Sequence, residues 1–349
     1  MMIFFSLVVA ILPTLFLVWM IWWADRYERE PTHLLILAFA WGALPAIFIA
    51  LAAELVAGAP FNGNGLGNAL VQSALIAPVV EEIIKGLALL GLIRFSRPEI
   101  DGVLDGIVYG ALVGAGFAMS ENFFYFLSAI PSGDWMLTVF LRAILFGLNH
   151  IFYTAIFGAA VGYAIRFSNR KIYSAIMLLG LLLAISAHGF HNFAVTLTET
   201  YPPLFLATLL MNWGGVLVML LIVLASLQQE RNAIKNYLDS NEAPALSSAT
   251  QKKLLALLPP KERLLPNWPW LTKKQRQENQ LYQAIAELSL RRQRIDTAPP
   301  EQRQRLQQEM DALQQLVHAL LAAPKLDYQS KFSHPTIDDG QKDKTKTAT

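Results

Sequence analysis

The sequence contains no cysteine. That excludes disulfides, thiolate metal sites and a cysteine nucleophile. Charge is also scarce: Asp, Glu, Lys and Arg make up 15% of the 349 residues, against roughly 25% in a soluble domain. The formal net charge of +2 by itself says nothing about nucleic acid, and none is expected as a partner. No HExxH occurs anywhere, so the zincin arrangement of two histidines and a glutamate on one helix is absent.

The scarcity is uneven. Residues 1–228 hold 12 acidic and 9 basic side chains, whereas residues 229–349 hold 14 acidic and 19 basic ones. The first part is too apolar for a soluble domain, and the second is too polar for lipid. The expected organisation is an all-α membrane bundle over 1–228, a cytoplasmic helical region over 229–324, and a disordered tail over 325–349.

Seven apolar stretches reach the ~20 residues that a bilayer-spanning helix needs. They cover 3–23, 33–56, 68–93, 102–129, 136–165, 173–197 and 204–227. The Met1 end lacks a basic n-region and an obvious cleavage site, so residues 3–23 read as a retained first helix. Loops 25–31, 94–99 and 166–171 carry Arg26, Arg29, Arg94, Arg97, Arg166, Arg170 and Lys171. The intervening loops 57–67, 131–135 and 198–203 carry neither Lys nor Arg. The positive-inside rule therefore places the N-terminus outside and the C-terminus in the cytoplasm. Trp19, Trp22, Trp23 and Trp135 fall near helix ends, where interfacial aromatics belong.

In the polar part, Leu281, Ile285 and Leu288 recur at helical spacing, as do Leu306, Met310, Leu313, Val317 and Leu320. Pro299 and Pro300 suit the opening of the second helix. An antiparallel hairpin or a dimerising coiled coil follows, with a homodimer or a cytoplasmic protein as its partner. Residues 254–271, with Trp268 and Trp270 among lysines, suit the membrane surface.

An ionisable side chain inside a spanning helix costs at least ~2.5 kcal/mol, so each is a functional candidate. The third stretch carries Glu81, Glu82 and Lys85, with Pro78 just before them. Two adjacent carboxylates point roughly 100° apart, and Lys85 can reach either. The fourth carries Glu121 and Asn122, the fifth Asn149 and His150, and the sixth His188, His191 and Asn192 on one helical face. Counted at ~1.5 Å per residue, these groups share one slab in the middle to outer half of the membrane. A shared polar layer on four helices points to one site.

The plainer readings cover single residues. Glu81–Lys85 suits a packing ion pair and His150 a hydrogen-bonded bundle residue. Asp101 and Asp105 suit a helix N-terminus, and Arg142 and Glu54 are expected to snorkel to the interface. Gly102, Gly106, Gly110, Gly114 and Ala118 recur every fourth residue, a stripe that lets a neighbouring backbone approach.

Carboxylates and imidazoles without a thiol favour an activated water over a covalent nucleophile. Either a glutamate acts as general base, or Glu82, Glu121, His150 and His188 hold zinc. Asn122, Asn149 and Asn192 are candidate oxyanion donors. A proton-coupled transporter or an inactive membrane sensor or scaffold are the rival readings. A transporter calls for an internal repeat, and none is evident.

Glu81-Glu82-x-x-Lys85, then Phe117-x-x-x-Glu121-Asn122, then His188-x-x-x-Asn192 together resemble the PrsW family of intramembrane proteases. The stretch from Asp105 through Gly106 and Gly110 to Gly116-Phe117 is similar to that family's fourth helix. The family is related to the CAAX-type prenyl protease and bacteriocin-processing superfamily. Its third motif often ends in Asp, where this chain has Asn192. The resemblance implies a multi-pass protease of the bacterial cytoplasmic membrane, often described as a metalloprotease. It also implies cleavage of single-span membrane proteins such as anti-sigma factors. Glu81, Glu82, Lys85, Glu121 and His188 match motif positions; His150, His191, Asn122 and Asn192 join them by depth and spacing.

Overall fold

The computed structural model describes residues 1–95, 100–240, 272–295 and 300–322, with isolated positions between. The surface segment expected at 254–271 lies almost wholly outside the described residues, and the tail from 325 lies entirely outside them. Among the described residues every long regular element is a helix. In chain order these are α1 (Met2–Ala24), α2 (Thr32–Phe61), α3 (66–95), α4 (Val103–Ser128), α5 (Trp135–Ala164), α6 (Arg170–Thr196), α7 (Pro203–Leu238), α8 (Lys273–Ile295) and α9 (Pro300–Ala322).

Six of them, α1, α2, α4, α5, α6 and α7, are long and apolar enough to cross a membrane. The expected third span, α3, is helical over the same length but carries Glu81, Glu82 and Lys85. The protein is a polytopic α-helical membrane bundle. Its outward face is apolar: Leu37, Phe48, Leu55, Leu179, Leu210 and Leu221 are all exposed. In water that surface would drive aggregation; in a bilayer it meets lipid.

The centre of the bundle is α4. Of its most apolar stretch 83% is buried, against 17% for α1 and 11% for α7. Its glycine stripe explains why. A Cβ at Gly106, Gly110 or Gly114 would lie 2.0, 2.6 or 2.3 Å from the carbonyl oxygens of Gly158, Thr154 and His150 on α5. No real side chain tolerates that, so α4 and α5 meet backbone to backbone. This close approach brings the His150 backbone against α4 about two turns before Glu121, whose carboxylate the His150 ring reaches.

Three helices carry wider, π-type turns: 42–46 in α2, 71–76 in α3 and 140–145 in α5. In α3 the cause is Pro78, which has no N–H for the carbonyl of Ala74 and whose ring would crowd it. The preceding turn widens, and Ala77 bonds Gln72 instead of Ser73. Ser73 O thereby loses the N–H of Ala77, and Pro78 offers none to Ala74 O. Helix α6 uses both. Asn192 Nδ2 donates to Ser73 O at 2.8 Å. Gly189 lies so near that a Cβ there would meet Ala74 O at 2.7 Å.

The π turn of α5 ends in a break. Phe146 N bonds Leu141 O at 2.8 Å, residues 146–148 are non-helical, and the helix restarts at Asn149. Non-helical backbone at membrane depth is stable where it is buried in protein or lines a wet cavity.

At the other end of the bundle, α7 continues unbroken to Leu238. There α8 and α9 form an antiparallel hairpin, with Gln277 near the start of α8 bonding Leu320 O near the end of α9. Its apolar residues Ile285, Leu288 and Val317 share one core with Tyr27, Ile100 and Ile234. Arg291 and Arg294 reach Glu28 at 3.4 and 3.1 Å, and Arg294 also pairs with Asp101. The hairpin therefore packs on the loops at one end of its own bundle.

Candidate active site

Helices α2, α3, α4, α5, α6 and α7 wall a cavity of about 540 Å³. Glu81, Glu121, Asn122, Asn149, His150, His188, His191 and Asn192 all line it. The shared polar layer inferred from depth is thus a single site. Glu82 and Lys85 stand just behind its wall, 1% and 0% exposed.

Lys85 organises the inner part. Its ammonium lies 2.9 Å from Glu81 Oε2, 2.9 Å from Glu82 Oε1 and 2.9 Å from His150 Nδ1. The Phe117 ring centroid closes the fourth side at 3.9 Å. An ammonium only donates, so His150 Nδ1 accepts and the ring proton resides on Nε2. That Nε2–H donates to Glu121 Oε2 at 2.7 Å. One chain of contacts, Glu82–Lys85–His150–Glu121, therefore crosses from α3 through α5 to α4.

The two adjacent glutamates differ. Glu81 faces the cavity with one oxygen on Lys85. Glu82 is turned inward and held by three partners. Lys85 and His188 Nδ1 meet its Oε1 at 2.9 and 3.0 Å, and Thr154 Oγ1 meets its Oε2 at 3.2 Å. A carboxylate oxygen accepts, so His188 Nδ1 carries a proton, and in the neutral ring Nε2 keeps its lone pair. Tyr153 stacks on the His188 imidazole at 4.9 Å and 15°, fixing the ring plane.

Arg142 does not snorkel. It turns inward, where its Nε donates to Asn122 Oδ1 at 2.9 Å and its Nη2 pairs with Glu121. Its guanidinium lies 3.6 Å from the Tyr125 ring centroid. Pairing with a carboxylate inside the bundle outweighs the reach to the interface, because Glu121 would otherwise be a buried charge short of a cation. Glu54 likewise lies on the cavity wall. The available signal for Arg142 was its place seven and eight residues before Asn149 and His150, about two turns along the same helix face.

Other expected residues take different places. Asn192 gives one of its two amide hydrogens to Ser73 O, which ties α6 to α3. His191 Nδ1 accepts from Asn212 Nδ2 at 3.0 Å and meets Thr208 Oγ1 at 2.8 Å, tying α6 to α7. Asn122 keeps its NH2 for the cavity, because Arg142 takes its oxygen. Asn149 Nδ2 is buried with no hydrogen-bond partner among the described residues.

Glu81, Glu82, His150 and His188 each offer a ligand atom, all within 4.8 Å of one another. Two imidazoles and two carboxylates are a donor set that suits zinc. Three of the four, however, already hold the Lys85 ammonium at 2.9 Å, so a metal ion would have to share its donors with a buried positive charge, and the residues as arranged do not fit one.

A polytopic bundle with a Glu/His cluster on a cavity at membrane depth defines an intramembrane hydrolase. Residues 30–227 match the family described as PrsW family intramembrane metalloprotease. The chain belongs to that family and is an intramembrane protease. It is 31% identical over 175 residues to Protease PrsW of Bacillus subtilis, covering 49% of this chain and 74% of that protein. To Protease PrsW of Geobacillus kaustophilus it is 27% identical over 232 residues, 64% of this chain and 89% of that protein. To Protease PrsW of Clostridioides difficile it is 30% identical over 186 residues, 53% and 76% of the two chains. No solved structure matches.

Proposed function

We propose that the protein cleaves single-span membrane-anchored proteins, of the anti-sigma-factor kind, at a peptide bond in the outer half of the bilayer. The observation that carries this reading is the His188–Glu82 pair. In it the His188 Nδ1–H is fixed by a buried carboxylate, and the ring lines a cavity shared with Glu81. A water held between Glu81 and His188 gives a proton to His188 Nε2 as its oxygen attacks the scissile carbonyl carbon. Glu82 stabilises the imidazolium that forms. When the C–N bond breaks, His188 returns the proton to the leaving nitrogen, so peptide and water become acid and amine. The NH2 groups of Asn122 and Asn149, with the Arg142 guanidinium, supply donors toward the developing oxyanion.

Seven crossings, N-terminus out and C-terminus in, fit this picture. Support comes from the ion pairs of Arg291 and Arg294 with Glu28 and Asp101, which gather the hairpin and the basic first and third loops at one end. The membrane is the bacterial cytoplasmic membrane. The hairpin is the surface for a cytoplasmic partner or a second copy of the chain.

The test is a comparison of membrane protein ends in cells expressing wild type or Glu82→Gln. New termini within or beside single spans, present with wild type and lost with the variant, are expected. Identical termini in the presence of a correctly inserted variant would sink the assignment.

A further inference from the structure

The coordination of Lys85 is complete. An ammonium has three hydrogens, and three acceptors stand at 2.9 Å: Glu81 Oε2, Glu82 Oε1 and His150 Nδ1. The remaining side is covered by the face of Phe117, the surface that an aromatic ring offers to a cation. The side chain is 0% exposed. Three of the four residues that could ligate a metal are thus the same three that hold the ammonium.

A zinc ion bonds its ligands at roughly 2.0–2.2 Å and so sits at the point they surround. Three of those ligand residues already hold Lys85 Nζ at 2.9 Å, so the ion would share its donors with the ammonium at close range. A divalent ion placed there would be in contact with a positive charge in a low-dielectric interior, where like charges repel strongly. Lysine and metal cannot occupy the cluster together.

We propose that Lys85 is the resident cation of this site and that its ammonium excludes divalent metal from the Glu81, Glu82, His150 and His188 donors. The cluster is then a metal-type donor set neutralised from within the chain. Replacing Lys85 by an apolar side chain of similar length converts it into a zinc site. The inference builds on the assignment of this cluster as the hydrolytic centre, yet metal occupancy is read without turnover.

The experiment uses the full chain, purified in detergent, equilibrated with excess zinc chloride, passed through a desalting column and analysed for metal by mass spectrometry. Wild type should retain less than about one-tenth of a zinc per chain, and Lys85→Met at least about tenfold more, approaching one. The double variant Lys85→Met/His188→Ala should lose it again. A zinc held stoichiometrically by wild type and lost in His188→Ala would overturn the proposal, as would a correctly folded Lys85→Met that retains none. If Lys85→Met fails to elute as wild type does, the wild-type measurement decides alone: a retained stoichiometric zinc overturns, and its absence supports. Unchanged cleavage by Glu82→Gln would remove the hydrolytic reading and leave the zinc result standing.

Discussion

Two groups of buried charges lie at different depths in this bundle. At the cavity, Glu81, Glu82 and Glu121 each meet a cation or an imidazole from a neighbouring residue or helix. At the hairpin end, Asp25 and Glu30 are buried with fewer such partners. Asp25 accepts from the Glu30 backbone at 2.9 Å, and Glu30 accepts from the Tyr109 hydroxyl at 2.7 Å. Burial pushes the Glu30 carboxyl up to about 11, with Asp105 and Asp25 adding to it. Burial likewise raises Asp25 well above the ordinary carboxylate range. One group keeps its charges by pairing them across helices beside a cavity; the other gives up charge in favour of packing. Chemistry needs the first arrangement, and a structural joint is satisfied by the second.

The largest effect that distinguishes them is expected at Glu82. Glu82→Gln keeps the shape but loses the carboxylate that orients His188 and stabilises its cation. Cleavage of a single-span reporter should fall by about 10²–10⁴ with insertion unchanged. Next comes Arg142→Met, which leaves Glu121 without its guanidinium and removes a donor from the cavity. A loss of about 10–100-fold in cleavage is expected, and Arg142→Lys should restore little because it lacks the planar fork that spans Glu121 and Asn122. If Arg142→Met cleaved like wild type, the guanidinium would be a packing element only.

At the other end, Arg294→Gln removes pairs with Glu28 and Asp101 that are partly exposed, each worth about 0–1 kcal/mol. Limited proteolysis of the hairpin should quicken a few-fold while reporter cleavage stays within about twofold. The smallest effect is expected for Glu30→Gln at neutral pH, because the glutamine mimics a carboxyl that is already protonated. The sign of its pH dependence is set by the raised pKa. The folded state holds a proton that the unfolded chain releases above its ordinary pKa, so wild-type stability falls as pH rises from about 4.5 toward 11. Thermal unfolding in detergent should decline less steeply with pH in Glu30→Gln than in wild type. Equal slopes would show that Glu30 is ionised in the fold.

Much of the site was legible because charge inside an apolar helix is rare and expensive. Glu81, Glu82, Lys85, Glu121, His150 and His188 could be found that way, and they do converge. Arg142 was misjudged because a long side chain near a helix end has two destinations, and only the position of Glu121 selects between them. The role of Asn192 was hidden because its partner, the Ser73 carbonyl, becomes free only where the helix widens ahead of Pro78. The break before Asn149 was equally hidden, since residues 140–148 read as one apolar helical run with a single glycine.

By itself the sequence determined the class of the molecule and the depth of its chemistry. Hydrophobic length sets how a helix meets a bilayer, and rise per residue sets how deep each polar group lies. Helical spacing also told that Lys85 could reach either glutamate. Only the tertiary structure decided which glutamate faces the cavity, which nitrogen of each histidine meets its carboxylate, and that the ammonium is held by three of four metal-type donors. Those choices depend on rotation about helix axes and on π turns that shift the helical register. Packing between helices fixes them, and no single helix carries that information alone.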